Sequence, residues 1–350
     1  MLLDVALPPL NLSAVPETAR AAEALGFSAV WTTETKHDPF LSLALVAEHT
    51  SRIQLGTAIA VAFARSPATL AYTAWDLAAQ SQGRFILGLG TQVRAHVERR
   101  FGMPWPESVV GKLREQILAL RAFWDCWQNG TKLNFRGEYY KLTLMSPFFN
   151  PGPLPFAKHP FGAPSGTGAG GEGEIPIYTA GVNPGLAKLA GELCEGFHVH
   201  PFHSPRYLRE VILPAIESGA SQAGRLRNQI EIVVPAFVAT TPEEREECRR
   251  QISFYASTPS YRPVMEMYGW GETAARLSLH AGRGEWSEMP ALITDEILPE
   301  FCALADSPAQ LAAALKERYA GLADRITPYL PFTPGEKDDF WGALAGEFRQ

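Results

Sequence analysis

The chain has 350 residues, of which 46% are hydrophobic, 19% charged and 11% aromatic, enough apolar material for a sizeable core and incompatible with general disorder. Its net charge is −6, with 31 Lys plus Arg against 37 Asp plus Glu, so the basic footprint of a nucleic-acid-binding surface is missing. The length admits two domains or one elaborated α/β barrel.

The first half alternates β-branched runs with amphipathic stretches, the signature of parallel βα units. Leu2 to Leu7 reads as a strand and Ser13 to Leu25 as its helix, capped by Ser13 or a neighbour and stopped by Gly26. Ser28 to Thr33 extends again. A helix over Pro39 to Ser51, a strand over Ile53 to Ile59, a helix over Pro67 to Gln82 and a strand over Phe85 to Gly90 repeat the pattern. A long helix around Val109 to Gln128 follows, with Phe123, Trp124 and Trp127 at helical spacing and Phe101 and Trp105 nearby, all read as packing residues.

Lys132 to Leu142 alternates like a strand, and Pro147 to Gly173 is saturated with Pro and Gly. The region of about 132–174 is therefore read as an insertion after strand four, within which Pro147 to Gly173 forms a surface lid or mobile loop. Strands over Ile175 to Ala180, Gly196 to His200 and Ile230 to Ala239 enclose helices over Pro184 to Cys194 and Pro205 to Ala223. Pro242 to Leu322 reads as mainly helical, with Ser307 capping a helix that Gly321 ends. Arg325 to Leu330 is the eighth strand and Pro334 to Phe348 a final helix. Eight units and no GxGxxG after the first strand favour one (β/α)8 TIM barrel over residues 1–350, with an insertion after strand 4 and a helical stretch between strands 7 and 8. The pair Gly88 and Gly90 would let backbone approach a ligand closely.

The longest apolar stretches, such as Leu41 to Ala47 broken by Ser42, fall far short of the roughly 18 residues a spanning helix requires. Asp4 and Pro8-Pro9 interrupt any signal-like apolar run, and the first basic residue is Arg20, so a cytoplasmic location is expected. Cys126, Cys194, Cys248 and Cys302 lie 54 or more residues apart, matching neither a CxxC metal pattern nor a dense disulfide framework; buried thiols are expected.

Active sites of such barrels gather where the strands end. Glu34 and His37 stand three apart after strand two, a carboxylate and an imidazole suited to proton handling, or to a surface ion pair. Arg65, Arg94 and His96 could bind an anionic substrate tail, or serve helix ends and internal ion pairs. Asn183-Pro184 opens a helix directly after Gly181 and Val182, where free N–H groups would suit a phosphate. His198, His200 and His203 could line a polar pocket, with His198 and His200 facing the substrate or its anionic tail, serve structure, or bind a metal in a hydrolase. No HxxH, HExxH or matched carboxylate run supports the metal, and none is assigned.

The segments AEALGFSAVWTTET, RIQLGTAIAVAFARSP, SQGRFILGLGTQVRAHVERRFG and YTAGVNPGLAKLAGELCEGFHVH closely resemble the bacterial luciferase-like superfamily, and within it the coenzyme F420-dependent (deazaflavin) oxidoreductases. The resemblance covers nearly the whole chain and is carried most specifically by GRFILGLG after a helix ending in SQG. It implies a dimeric barrel that holds its cofactor at the C-terminal mouth and takes a small-molecule substrate. Glu34 matches a carboxylate that contacts the cofactor ring in related enzymes. The family pattern VWxxDH is replaced here by Glu34-Thr35, with His37 as the substitute imidazole. The resemblance also implies a non-prolyl cis peptide near Ala58-Ile59 behind the cofactor ring. It assigns phosphate binding to Gly181, Val182 and Asn183, and ribityl contacts to Thr91 and His96. Val93 replaces an acid found in sugar-phosphate dehydrogenases of the family. The leading expectation is hydride transfer between coenzyme F420 and a small organic substrate. The alternatives are an FMN-dependent monooxygenase, a metal-dependent hydrolase and a non-catalytic cofactor-binding protein.

Overall fold

The computed structural model describes residues 1–154 and 175–349. Its framework is a ring of eight parallel strands. β1 runs as Leu2–Leu3 and Val5–Ala6, interrupted at Asp4; β2 is Ala29–Thr32; β3 is Gln54–Thr57, continued by Ala60–Val61; β4 is Phe85–Gly90. β5 is Ile177–Gly181, β6 Gly196–Val199, β7 Glu231–Ala239 and β8 Arg325–Pro328. Each strand pairs with the next, and β1 closes the ring by pairing Leu2 with Arg325 on one side and Val5 with Val30 on the other. Every residue of β2 and β4 is buried, which is why these strands read as continuous apolar runs instead of alternating ones.

The helices start by a shared device, a small polar cap followed by proline. Asp38, Ser66, Ser204, Thr241 and Ser307 each accept a backbone N–H of the first turn, and each precedes a proline whose missing N–H costs nothing there. Gly26, at φ +85°, ends Val15–Leu25 in the left-handed region that glycine tolerates.

Several boundaries differ from expectation. Leu12–Ala14 forms a 3-10 turn, so the first helix starts at Val15 with no side-chain cap from Ser13. The last helix is Asp338–Arg349, not Pro334 onward, because Asp338 instead accepts the Gly335 N–H in a preceding turn. The stretch between β7 and β8 is not only helical: Cys302–Leu304 is a ninth parallel strand, paired with Phe237–Ala239. β8 reaches only as far as Ala236 along β7, and the extra strand satisfies the buried backbone that would otherwise be left open. In the insertion, Phe135–Arg136 and Lys141–Leu142 form an antiparallel pair. The expected lid over Pro147 to Gly173 falls largely on 155–174, outside the described residues.

The barrel floor is polar and closed. Arg325 donates to both carboxylate oxygens of Asp4 at 2.7 and 2.9 Å and to Gln54 Oε1 at 2.7 Å, while Trp31 Nε1 donates to Asp4 at 2.9 Å. Tyr178 donates its hydroxyl to Glu231, which also faces Arg325. Above this floor Ala29, Trp31, Ile86, Tyr178 and Val233 fill the interior, and the larger apolar cluster lies between the ring and its helices. Phe123, Trp124 and Trp127 belong to that outer cluster, with Trp105 half-buried at its edge. All four cysteines are buried and free of disulfides. Among the described residues no helix is long and apolar enough to cross a membrane.

Candidate active site

The ends of β2 and β3 are knitted together. Glu34 is buried, and its Oε2 accepts from the Val61 N–H and from Arg65 Nη1, each at 2.7 Å. Arg65 also donates to Asp38 at 2.9 Å and lies over the Phe40 ring. Burial works against the Arg65 charge, but the bonds to Glu34 and Asp38 prevail and raise its pKa. The peptide bond between Ala58 and Ile59 is cis. Both of its flanking carbonyls are held by the turn after β2: Thr33 Oγ1 donates to Ala58 O at 2.9 Å and the Glu34 N–H to Ile59 O at 3.2 Å.

Glu34 and His37 are not joined. His37 is exposed and, among the described residues, makes no hydrogen bond, whereas the carboxylate turns to Arg65. The two other candidates for an anionic tail are also placed: Arg94 is exposed and pairs with Glu98 one turn on, and His96 is exposed in the same short helix. Arg65 is held internally by two carboxylates, so it is not a free cation.

At the end of β4, Thr91 is buried and Gln92 takes φ +59°, with its own Oε1 accepting the Val93 N–H at 2.9 Å. A non-glycine residue in that region marks a locally constrained turn at the mouth. The glycines of β4 make room for protein and not for a ligand: a Cβ on Gly88 would sit 1.8 Å from Thr57 O and 3.1 Å from His198 Nε2, and one on Gly90 would sit 2.6 Å from the Ile59 side chain.

After β5, Asn183 is the extended N-cap of Pro184–Leu193 and makes no side-chain cap. No acidic residue occupies the first turn, so the N–H groups of Gly185 and Leu186 and the positive end of the helix are available to an anion. A Cβ on Gly185 would meet only Val110, at an ordinary 3.4 Å. The Val182 carbonyl is fixed from behind by the Tyr207 hydroxyl at 3.3 Å.

The histidine within β6 and the two that follow it diverge, each packed on different rings. His198 is buried edge-on to Trp31 at 4.7 Å, its Nε2 without a partner, and burial aided by Arg325 lowers its pKa to about 3. His200 packs on Tyr255 and Tyr261, and burial, with His203 nearby, lowers it to about 3. His203 is buried, bonded to Tyr319 at 3.0 Å and to His200 O at 2.8 Å, and burial lowers it to about 4. Among the described residues no group of three or more potential ligands is arranged to hold a metal.

Sequence reading did not single out Tyr255, Tyr261 or Tyr329. Tyr329 directly follows Pro328, the last residue of β8, so listing the residue after every strand would have found it. Tyr255 and Tyr261 reach the same place only through the fold of the excursion after β7.

Fold and site together define a closed (β/α)8 barrel whose chemistry-bearing side chains stand at the C-terminal ends of its strands. The chain belongs to the luciferase-like monooxygenase family, whose model matches residues 4–325. An uncharacterized protein of Mycobacterium tuberculosis (strain H37Rv) is 42% identical over 327 residues, 91% of each chain. The F420-dependent glucose-6-phosphate dehydrogenase of Mycolicibacterium fortuitum is 29% identical over 65% of each chain. The 5,10-methylenetetrahydromethanopterin reductase of Archaeoglobus fulgidus is 24% identical over 95% of this chain and 93% of its own. Among solved structures, the coenzyme F420-dependent tetrahydromethanopterin reductase of Methanopyrus kandleri superposes with a TM-score of 0.75 at 21% identity, covering 99% and 97% of the two chains. An EDTA monooxygenase of Chelativorans superposes with a TM-score of 0.72 at 16% identity, covering 100% and 93%. At these identities the structural likenesses establish the barrel.

Proposed function

We propose that this protein is an oxidoreductase that moves a hydride between coenzyme F420, seated in the C-terminal mouth, and a small organic substrate. The observation that carries the reading is the unfilled N-terminus of Pro184–Leu193. It offers N–H groups and no acid to a phosphate, on the same rim as the Ala58-Ile59 bond clamped by Thr33 and Glu34. Gly181, Val182 and Asn183 would hold the phosphate, Thr91 and His96 the ribityl chain, and Glu34, Ala58 and Ile59 the ring. When bound, the deazaflavin supplies a hydride donor or acceptor; the protein orients the partners and handles the proton. His37, exposed and unpartnered among the described residues, is the proton donor or acceptor in this reading. The F420-dependent glucose-6-phosphate dehydrogenase of Mycolicibacterium fortuitum, a relative of assigned activity, supports it. The active species is proposed to be a homodimer working in the cytoplasm, which sedimentation of the purified protein and cell fractionation would check.

The second reading is an FMN-dependent monooxygenase, favoured by the matching family's own description, because the same phosphate site would accept either tail. Titrating the protein separately with oxidised coenzyme F420 and with FMN decides between them. The expected result is tight F420 binding and weak FMN binding; FMN binding alone would overturn the assignment. His37→Ala should then slow turnover of the F420-loaded protein while leaving cofactor affinity unchanged.

A further inference from the structure

Three neighbouring segments of the rim bring a second, separate group of side chains together. His200 follows β6, Tyr329 follows β8, and Tyr255 and Tyr261 come from the excursion inserted after β7. In a ring of eight, β6 lies across from β2, so this group faces the side that bears Glu34 and His37. The Tyr255 and Tyr329 hydroxyls are 2.8 Å apart. The His200 ring packs against Tyr255 and Tyr261 with centroids 4.9 and 4.6 Å away.

The hydrogen-bonding inventory of this group is specific. Two hydroxyls joined by one bond spend one of their two protons on each other, which leaves a second O–H to offer. His200 Nδ1 accepts the Phe202 N–H at 3.1 Å, so the neutral ring carries its proton on Nε2, which has no partner among the described residues. Burial and the adjacent Tyr329 raise the Tyr255 pKa, and burial lowers that of His200. At neutral pH the wall therefore presents donors without charge.

Its surroundings are largely apolar. Phe237 packs edge-on to Tyr329 at 4.9 Å, and Phe254, beside Tyr255, lies against Trp286 at a tilt of 41° with both rings about half exposed. Among the described residues no Lys or Arg forms a hydrogen bond or ion pair with these tyrosines or with His200; the charge felt at Tyr329 is that of Glu247, which is itself paired with Arg250 at 2.6 Å. An anionic substrate would meet neutral rings and a carboxylate already paired with Arg250, and no cation bonded to the wall would offset its lost hydration.

We propose that His200, Tyr255 and Tyr329 form the substrate-recognition wall, and that the substrate is an uncharged, largely apolar molecule whose hydroxyl or carbonyl oxygen is bound by these donors. The proposal rests on the reading above and names the substrate class for that site. It excludes phosphorylated sugars and other anions as good substrates.

The test is ligand binding to protein saturated with oxidised coenzyme F420, where a ketone forms a complex that cannot react. Cyclohexanone, cyclohexanecarboxylate and glucose 6-phosphate are titrated by calorimetry. Cyclohexanone is expected to bind best, and the variant of whichever hydroxyl offers its proton, Tyr255→Phe or Tyr329→Phe, is expected to weaken it by roughly 3- to 10-fold, the loss of one neutral hydrogen bond. F420 affinity in the same variants, expected unchanged, shows that they are folded. Equal or tighter binding of either anion, no cyclohexanone binding, or unchanged cyclohexanone affinity in both variants overturns the proposal. If F420 itself does not bind, the cofactor reading has failed; the same titrations on the cofactor-free protein then judge the wall by the same ranking.

Discussion

Replacing Glu34 tests the most heavily bonded side chain of the candidate site. In Glu34→Ala the Val61 N–H loses its acceptor at 2.7 Å, and a buried unsatisfied donor costs about 1–3 kcal/mol. Arg65 loses one carboxylate but keeps Asp38 at 2.9 Å and the Val61 carbonyl at 3.3 Å, so the full penalty of about 3–5 kcal/mol for breaking a buried pair does not apply. The two effects together give a loss of about 2–4 kcal/mol. In a chain of 350 residues the unfolding entropy is about 0.7 kcal/mol/K, so Tm should fall by about 3–6 °C. Glu34→Gln keeps an acceptor for Val61 and should lose only about half as much. Urea unfolding at neutral pH measures both, and a shift in midpoint at constant slope confirms that stability changed and not the denatured state. A double-mutant cycle with Arg65→Met should give a coupling of about 1.5–3 kcal/mol. A loss below about 1 kcal/mol for Glu34→Ala, or a larger loss for Glu34→Gln than for Glu34→Ala, would refute this account.

Acid should destabilise the fold. His198 and His203, both buried, have folded pKa values of about 3 and 4 against an ordinary 6.5, so the unfolded chain binds the extra protons. Stability is complete above that ordinary value and is lost as pH falls, by about 2–3 kcal/mol per unit between roughly pH 6 and 4; urea midpoints that stay flat over that range would contradict it. Gly88→Ala places a Cβ 1.8 Å from Thr57 O in a barrel strand and should cost about 3 kcal/mol or more, measured by the same unfolding. Gly185→Asp meets only Val110 at 3.4 Å. Its carboxylate at a helix N-terminus should stabilise the protein slightly, by about 0.3–1 kcal/mol, while weakening F420 binding by repelling the phosphate. Raised stability with unchanged F420 affinity would move the phosphate elsewhere.

The ring of eight strands was legible because parallel strands buried on both faces are continuous apolar runs, and because capped X-Pro steps mark where helices start. The Phe85–Gly90 strand coincides with its expected span, since its six residues and its flanking turn leave no other choice. The strand Cys302–Leu304 was illegible: three residues acquire that state only because β7 outruns β8 and leaves backbone to be paired. The final helix also starts late, at Asp338, for a local reason, the Asp338 carboxylate being taken by the Gly335 turn.

For the site the division is sharper. Sequence placed Glu34 and Asn183 just after strands, and those positions hold because strand ends are local features; Ala58 and Ile59, expected where β3 ends, sit instead in a break that β3 crosses to continue as Ala60–Val61. It could not say which side chains would meet. Glu34 joins Arg65 and Val61, 31 and 27 positions away, while His37, three residues along, stays in solvent. The three histidines within six residues of one another scatter onto three different sets of rings. Tyr255 meets Tyr329 across 74 residues. Composition and period determine which segments become strands and helices because those choices rest on interactions within a few residues. The partners of a polar side chain are set by barrel closure, where burial makes each unpaired group costly and so selects among contacts that are distant along the chain.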